Sequence, residues 1–211
     1  MNKKYILFIV LILIFVLWNT PVLYPLKLLV VFFHETSHAL ATIFTGGTVA
    51  QLVIVKEQGG YVLSSGGNRF IELSAGYLGS LLWGVIIYLL GVQTRYDKTV
   101  LIILGILIGL IALCFAGNMF TVGFGILTGA AMVFCGRFLS QGINDFLLRL
   151  IGLTSMVYVP YDIFSDTIYR FQQNSDAQML AAEYGGTGLL WGIGWILISL
   201  VIIVSCLRKG F

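Results

Sequence analysis

Residues 34 to 38 read His34-Glu35-Thr36-Ser37-His38, and the chain of 211 residues contains no other histidine. Two histidines placed at random would fall four apart in roughly one chain in a hundred, and a glutamate directly after the first lowers that to a few in ten thousand. The spacing has a mechanical meaning. Four residues turn an α-helix through 400°, so both imidazoles project from nearly one face, one turn apart, where they can reach a single zinc ion. Glu35 lies one step round the helix, placed to hold a water beside the metal without being a ligand, which is the position of a general base. The chemistry implied is metal-assisted hydrolysis. A pair of buried histidines bonded to neighbouring helices is the plainer reading. It leaves Glu35 unexplained, and a charged side chain in an apolar span costs about 2.5–3.5 kcal/mol on insertion scales.

A catalytic zinc site takes three protein ligands and keeps a fourth position for water. With no third histidine, the search passes to the nine aspartates and glutamates. Glu57 and Asp97 fall in connecting segments, Glu72 and Asp145 near span ends, and Asp176 and Glu183 in a polar loop. Asp162 and Asp166 differ, since they lie in the largely apolar run from Tyr158 to Thr167, and their i, i+4 spacing puts both on one helix face. Pro160 disturbs the helix just before them, a defect tolerated where backbone lines a polar cavity. The competing reading is that the two aspartates mark the aqueous end of the helix. Charge balance favours one carboxylate ligand, because Zn²⁺, two neutral imidazoles, one carboxylate and one hydroxide sum to zero in a low-dielectric interior.

The elements that must hold these residues are membrane helices. Hydrophobic residues make up 59% of the chain and charged ones 10%, with mean hydropathy +0.99, against about 25% charged in soluble domains. A formal charge of +3 with no basic stripe excludes a nucleic-acid footprint. Cys114, Cys135 and Cys206 lack paired spacing and read as small buried hydrophobes.

A helix needs about 20 apolar residues to cross the hydrocarbon layer. Runs at residues 5–18, 22–45, 70–91, 99–116, 119–135, 143–160 and 188–207 predict about seven (six to eight) transmembrane helices. The first resembles a signal peptide, but Trp18-Asn19-Thr20-Pro21 offers no small-residue cleavage site, so residues 1–21 are expected to be a retained anchor helix. Lys27 is expected to snorkel towards the interface. Gly105 and Gly109, then Gly125 and Gly129, stand at the spacing that lets helix backbones approach closely in lipid.

Residues 46–68 form a loop whose β-branched residues flank Glu57-Gln58-Gly59-Gly60, which predicts a short β-hairpin between the second and third helices. An open sheet edge cannot face lipid, so the hairpin must sit at the interface or against protein. Residues 170–187 form a polar loop, where Ser175 or Asp176 can cap a short helix that Gly185-Gly186 ends. Lys3 and Lys4 favour a cytoplasmic amino terminus, whereas an odd span count would put Arg208 and Lys209 outside, so charge leaves the orientation open. The fold class is thus an all-α polytopic membrane protein, with residues 1–211 as a single membrane-embedded domain.

In these features the chain resembles the site-2 protease type of intramembrane zinc metallopeptidase, most closely its short bacterial branch without a PDZ domain. The resemblance rests on His34-Glu35-Thr36-Ser37-His38 in an apolar helix, the strand Gly59-Gly60-Tyr61-Val62, the span opening Ser74-Ala75-Gly76-Tyr77-Leu78-Gly79-Ser80, and Tyr161-Asp162-Ile163 with Asp166. It implies Glu35 as catalytic base, a Zn²⁺ cofactor, and His34, His38 and Asp162 as ligands, with Asp166 supporting. Larger members carry glycine after the ligand aspartate, where this chain has Ile163.

The function expected is hydrolysis of a peptide bond within or next to a transmembrane segment. The partners are then the lipid bilayer and a membrane-protein substrate helix, in a bacterial cell membrane. Oligomeric state is not readable. The second reading is a non-catalytic membrane protein that keeps a structural zinc site and binds partner helices. A transporter would need paired broken helices in two halves, which the sequence lacks.

Overall fold

A helix stands at each of the seven runs in the computed structural model, which describes residues 3–169 and 175–209. In chain order these are α1 (Lys3–Val16), α2 (Tyr24–Phe44), α3 (Arg69–Gln93), α4 (Asp97–Phe115), α5 (Met119–Phe138), α6 (Gln141–Phe164) and, after the short α7 (Asp176–Tyr184), α8 (Gly188–Lys209). Five of them are long and apolar enough to cross a bilayer: α3, α4, α5, α8, and α6 with its continuation to Ile168. Among the described residues, length and composition therefore support five spans, and the six to eight expected are not confirmed. Helix α1 has only 14 residues, and α2 has 21 but interrupts its apolar run with Lys27, His34, Glu35 and His38.

The outward faces of α4, α5 and α8 expose Leu113, Leu127, Phe134, Leu190 and Val201, an apolar surface suited to lipid and not to water. Cys114 shares that outer surface and is exposed, contrary to the buried reading; Cys135 is half-buried and Cys206 buried.

Inside the bundle, glycines set the helix spacing. Helices α3 and α6 approach until a Cβ on Gly152 would stand 2.6 Å from the Tyr88 nitrogen and one on Gly84 2.9 Å from Ser155 Cβ, and the Ser155 hydroxyl donates to the Ser80 carbonyl at 2.8 Å. Helices α4 and α5 meet through Gly105, Gly125 and Gly129, while a Cβ on Gly109 would meet nothing within 4 Å. Overpacking a tight contact typically costs 1–3 kcal/mol. Gly129→Ala is therefore expected to destabilise the protein by about that much, and Gly109→Ala to change little, in a detergent unfolding titration. Equal effects would show that α4 and α5 do not pack through these glycines.

The hairpin forms as expected, from β1 (Thr48–Val55) and β2 (Gly59–Ser65), antiparallel with Leu52 opposite Val62 and Ile54 opposite Gly60. Its turn is one residue tighter than the glycine pair suggested: Gln58 takes φ 63°, and Gly59 and Gly60 already belong to β2. The outer edge of β1 is closed by the α4–α5 turn. There the Gly117 amide donates to the Leu52 carbonyl at 2.9 Å, the Ile54 amide to the Thr121 hydroxyl at 2.8 Å, and the Asn118 side chain to the Ile54 carbonyl at 3.1 Å. This meets the rule that a strand edge at membrane depth must be satisfied by protein. The outer edge of β2 has no strand partner among the described residues, and it borders the cleft beside α2.

Helix α7 begins where the sequence placed it. The Ser175 hydroxyl accepts from the Gln178 amide at 3.4 Å, and Gly185 ends the helix at φ 87°. The segment is not a free polar loop, however. Asp176, Ala177 and Leu180 are buried, and α7 packs against α3 and α8. Residues 170–174 of the expected loop lie outside the described residues.

Candidate metal centre

Helix α2 begins with Pro25 in its first turn, where proline's missing amide is harmless, and runs through the middle of the bundle to Gly46. Halfway along it, His34 and His38 face the same side, with ring centroids 4.7 Å apart. The third group beside them is Asp176, from the first turn of α7. Its Oδ2 lies 3.1 Å from His34 Nε2 and 3.2 Å from His38 Nε2. Among the described residues these three alone form a cluster of potential ligand atoms dense enough to hold a metal ion.

The chemistry of the donors fits a metal. The Nδ1 of His38 stands 2.7 Å from the Glu72 carbonyl, which can only accept, so Nδ1 carries the proton and Nε2 presents its lone pair. Asp176 Oδ2 is buried and makes no hydrogen bond, although both imidazole nitrogens lie within ion-pair distance. An ionised carboxylate facing an imidazole lone pair is an arrangement of acceptors that a cation resolves. The spacing also approaches the roughly 3.3 Å between neighbouring ligand atoms on a tetrahedron with bonds of about 2.0–2.1 Å.

Room for that cation is left by a glycine. A Cβ on Gly76 of α3 would stand 2.4 Å from His34 Nε2 and 2.5 Å from His38 Nε2, so α3 can pass the centre only without a side chain there. Gly76→Ala is expected to weaken zinc binding by about 5- to 150-fold, the conversion of a 1–3 kcal/mol steric cost. A competition titration against a chelating dye would read it, and unchanged affinity would show that the metal lies elsewhere.

Glu35 is 5% exposed and lies against β2, where a Cβ on Gly60 would meet its Oε1 at 2.7 Å. Tyr77, one residue past Gly76, packs edge-on against His34 at 4.8 Å, and its hydroxyl donates to Asp166 at 2.7 Å. Asp166 thus orients Tyr77, and through it His34. Its neighbour Asp162 lines the same cavity of about 430 Å³, as do His34, Glu35, His38 and Asp176. The structure therefore brings together His34, Glu35 and His38 as expected. Asp162 and Asp166 stand in the cavity wall, outside the cluster that Asp176 forms with the two histidines. Two further groups escaped the sequence reading: Glu72, whose carbonyl orients His38, and Arg69, which reaches Glu72 at 3.1 Å and Glu183 of α7 at 3.4 Å. Arg69 ties α7 to α3.

The model of one protein family, described as Peptidase M50B-like, matches residues 7–206. Neither a curated protein nor a solved structure matches the chain.

Proposed function

Because the chain belongs to the Peptidase M50B-like family, of the site-2 protease kind, we propose that it is a zinc-dependent endopeptidase that hydrolyses a peptide bond within or next to an apolar segment of a membrane protein. Five apolar helices and the family make it an integral membrane protein, and its setting is the bacterial cell membrane. The observation that carries the reading is the convergence of His34, His38 and Asp176 within a cavity that also holds the Glu35 carboxylate.

His34, His38 and Asp176 would hold the metal, which when bound polarises a carbonyl and brings the pKa of water towards neutrality. Glu35 takes the proton from the attacking water and returns it to the leaving amine. Tyr77, fixed by Asp166, keeps the His34 ring in place, and the Glu72 carbonyl does the same for His38. Arg69 holds α7, and with it Asp176, against α3.

Helical substrates hide their carbonyls in intrahelical hydrogen bonds, so the segment cut must be extended. The unpartnered edge of β2 beside Glu35 suits such a segment, which can add to it as a strand. The test is to map the products of purified protein acting on reporter membrane proteins by mass spectrometry. Cuts inside or within a few residues of an apolar segment are expected. Cuts confined to water-exposed loops, or none on any reporter, would overturn the proposal.

A further inference from the structure

The cleft does not end at the metal centre. Gln58, at the hairpin turn, lines both the catalytic cavity and a second recess of about 350 Å³ that is also lined by Trp18, Asn19, Thr20, Tyr24 and Lys27. The Tyr24 hydroxyl donates to the Lys56 carbonyl at 2.6 Å, which fastens the hairpin tip to the start of α2.

Two donors in this recess, the Lys27 ammonium and the Trp18 indole, have no carboxylate partner among the described residues. Lys27 is 9% exposed, and its ammonium lies 4.6 Å from the centroid of the Trp18 ring. No carboxylate lies within 4 Å of it among the described residues; Glu57, at the hairpin turn, pairs with Lys56 at 3.9 Å. The buried indole Nε1 of Trp18 likewise has no partner. Lys27 lines a half-open recess with its side chain largely buried. Among the described residues, a buried ammonium against an aromatic face, beside a buried N–H without a partner, lacks an anion.

Lys27 and His34 are seven residues apart on α2. Two helical turns bring them within about 20° of one face and about 10.5 Å apart along the axis. An extended chain advances about 3.3 Å per residue, so that interval corresponds to about three substrate residues. We propose that the recess is a substrate subsite for one carboxylate, an aspartate or glutamate side chain about three residues from the bond cut, held by Lys27 and Trp18. The assignment rests on the peptidase reading and gives it a substrate class: extended apolar segments with a single acid near the cut.

The test uses zinc-loaded, full-length Glu35→Gln protein in detergent and apolar peptides carrying a single Asp, or its isostere Asn, at successive positions. Asp is expected to tighten binding by about 10- to 100-fold at one position. Lys27→Gln should abolish the difference, Lys27→Arg should keep it, and Lys27→Glu should transfer the preference to a Lys peptide. An Asp advantage at no position, or one that survives Lys27→Gln, overturns the proposal. So does an advantage at every position that short-chain phosphatidylglycerol competes away, which would assign the recess to a lipid phosphate. Cleavage of the same peptides by protein with Glu35 intact is scored separately. Position-dependent Asp binding without cleavage sinks the peptidase reading and leaves the subsite, whereas cleavage indifferent to Asp sinks the subsite alone.

Discussion

Alanine at Asp176 is expected to lower zinc affinity by more than about 100-fold, since changes to groups that merely orient ligands already cost 10- to 100-fold. The same change at Asp162 should leave zinc bound. Both carboxylates line the catalytic cavity, but only Asp176 brings an oxygen within 3.1 and 3.2 Å of the two imidazole Nε2 atoms. Removing it leaves two neutral ligands for a dication in a low-dielectric interior, short of both a donor and a charge. Metal content after purification and a chelator competition read the two variants directly. Zinc retained in Asp176→Ala and lost in Asp162→Ala would return the third ligand to α6.

Glutamine at Glu35 is expected to lower the rate of peptide cleavage by about 10²- to 10⁴-fold, the usual contribution of a positioned proton-transfer group, while zinc stays bound. Glutamine keeps the size and hydrogen-bonding capacity of the side chain, so the tight contact with Gly60 is preserved. What it loses is a site for the proton between water and leaving amine. Equal loss of metal and activity would make Glu35 a ligand or a packing residue, and unimpaired cleavage would leave the hydrolysis without its base.

The two variants separate roles that the sequence marked unequally. His34, Glu35 and His38 were legible because polar residues are scarce in this chain and a 400° rotation can be read from spacing alone. The hairpin was legible from its β-branched flanks, and the α7 boundaries from Ser175 and Gly185. Asp176 was hidden by a rule that usually holds: an acidic residue in the first turn of a helix complements the helix dipole, so it reads as part of a cap. The signal that could have exposed it is its place four residues before Leu180, on the same face as a residue that is 0% exposed. A carboxylate on the apolar face of a short amphipathic helix needs a buried partner. Asp162 and Asp166 drew attention by the converse argument, lying in a long apolar run. There Asp166 serves Tyr77.

The span count was less legible than the fold. Run length and hydropathy find helices without saying which of them face lipid along their whole length. Helix α2 carries Lys27 and the catalytic residues among its apolar ones, and its centre is enclosed by α3, the hairpin and α6. A helix surrounded by protein can afford polar residues that a lipid-facing one cannot. The same enclosure gives the metal centre its burial, and it leaves the β2 edge as a wall along which a substrate strand can lie.

The central claim is that one metal ion, held where α2 and α7 meet, makes this membrane protein a peptidase. It is tested most directly by stripping the purified chain with a chelator and titrating zinc back while following cleavage of an apolar reporter peptide. No cleavage is expected without metal, and activity should rise and saturate at about one zinc per chain. Cleavage by the stripped protein, or one bound zinc with no cleavage of any reporter, would contradict it, and the second result would favour a structural zinc site.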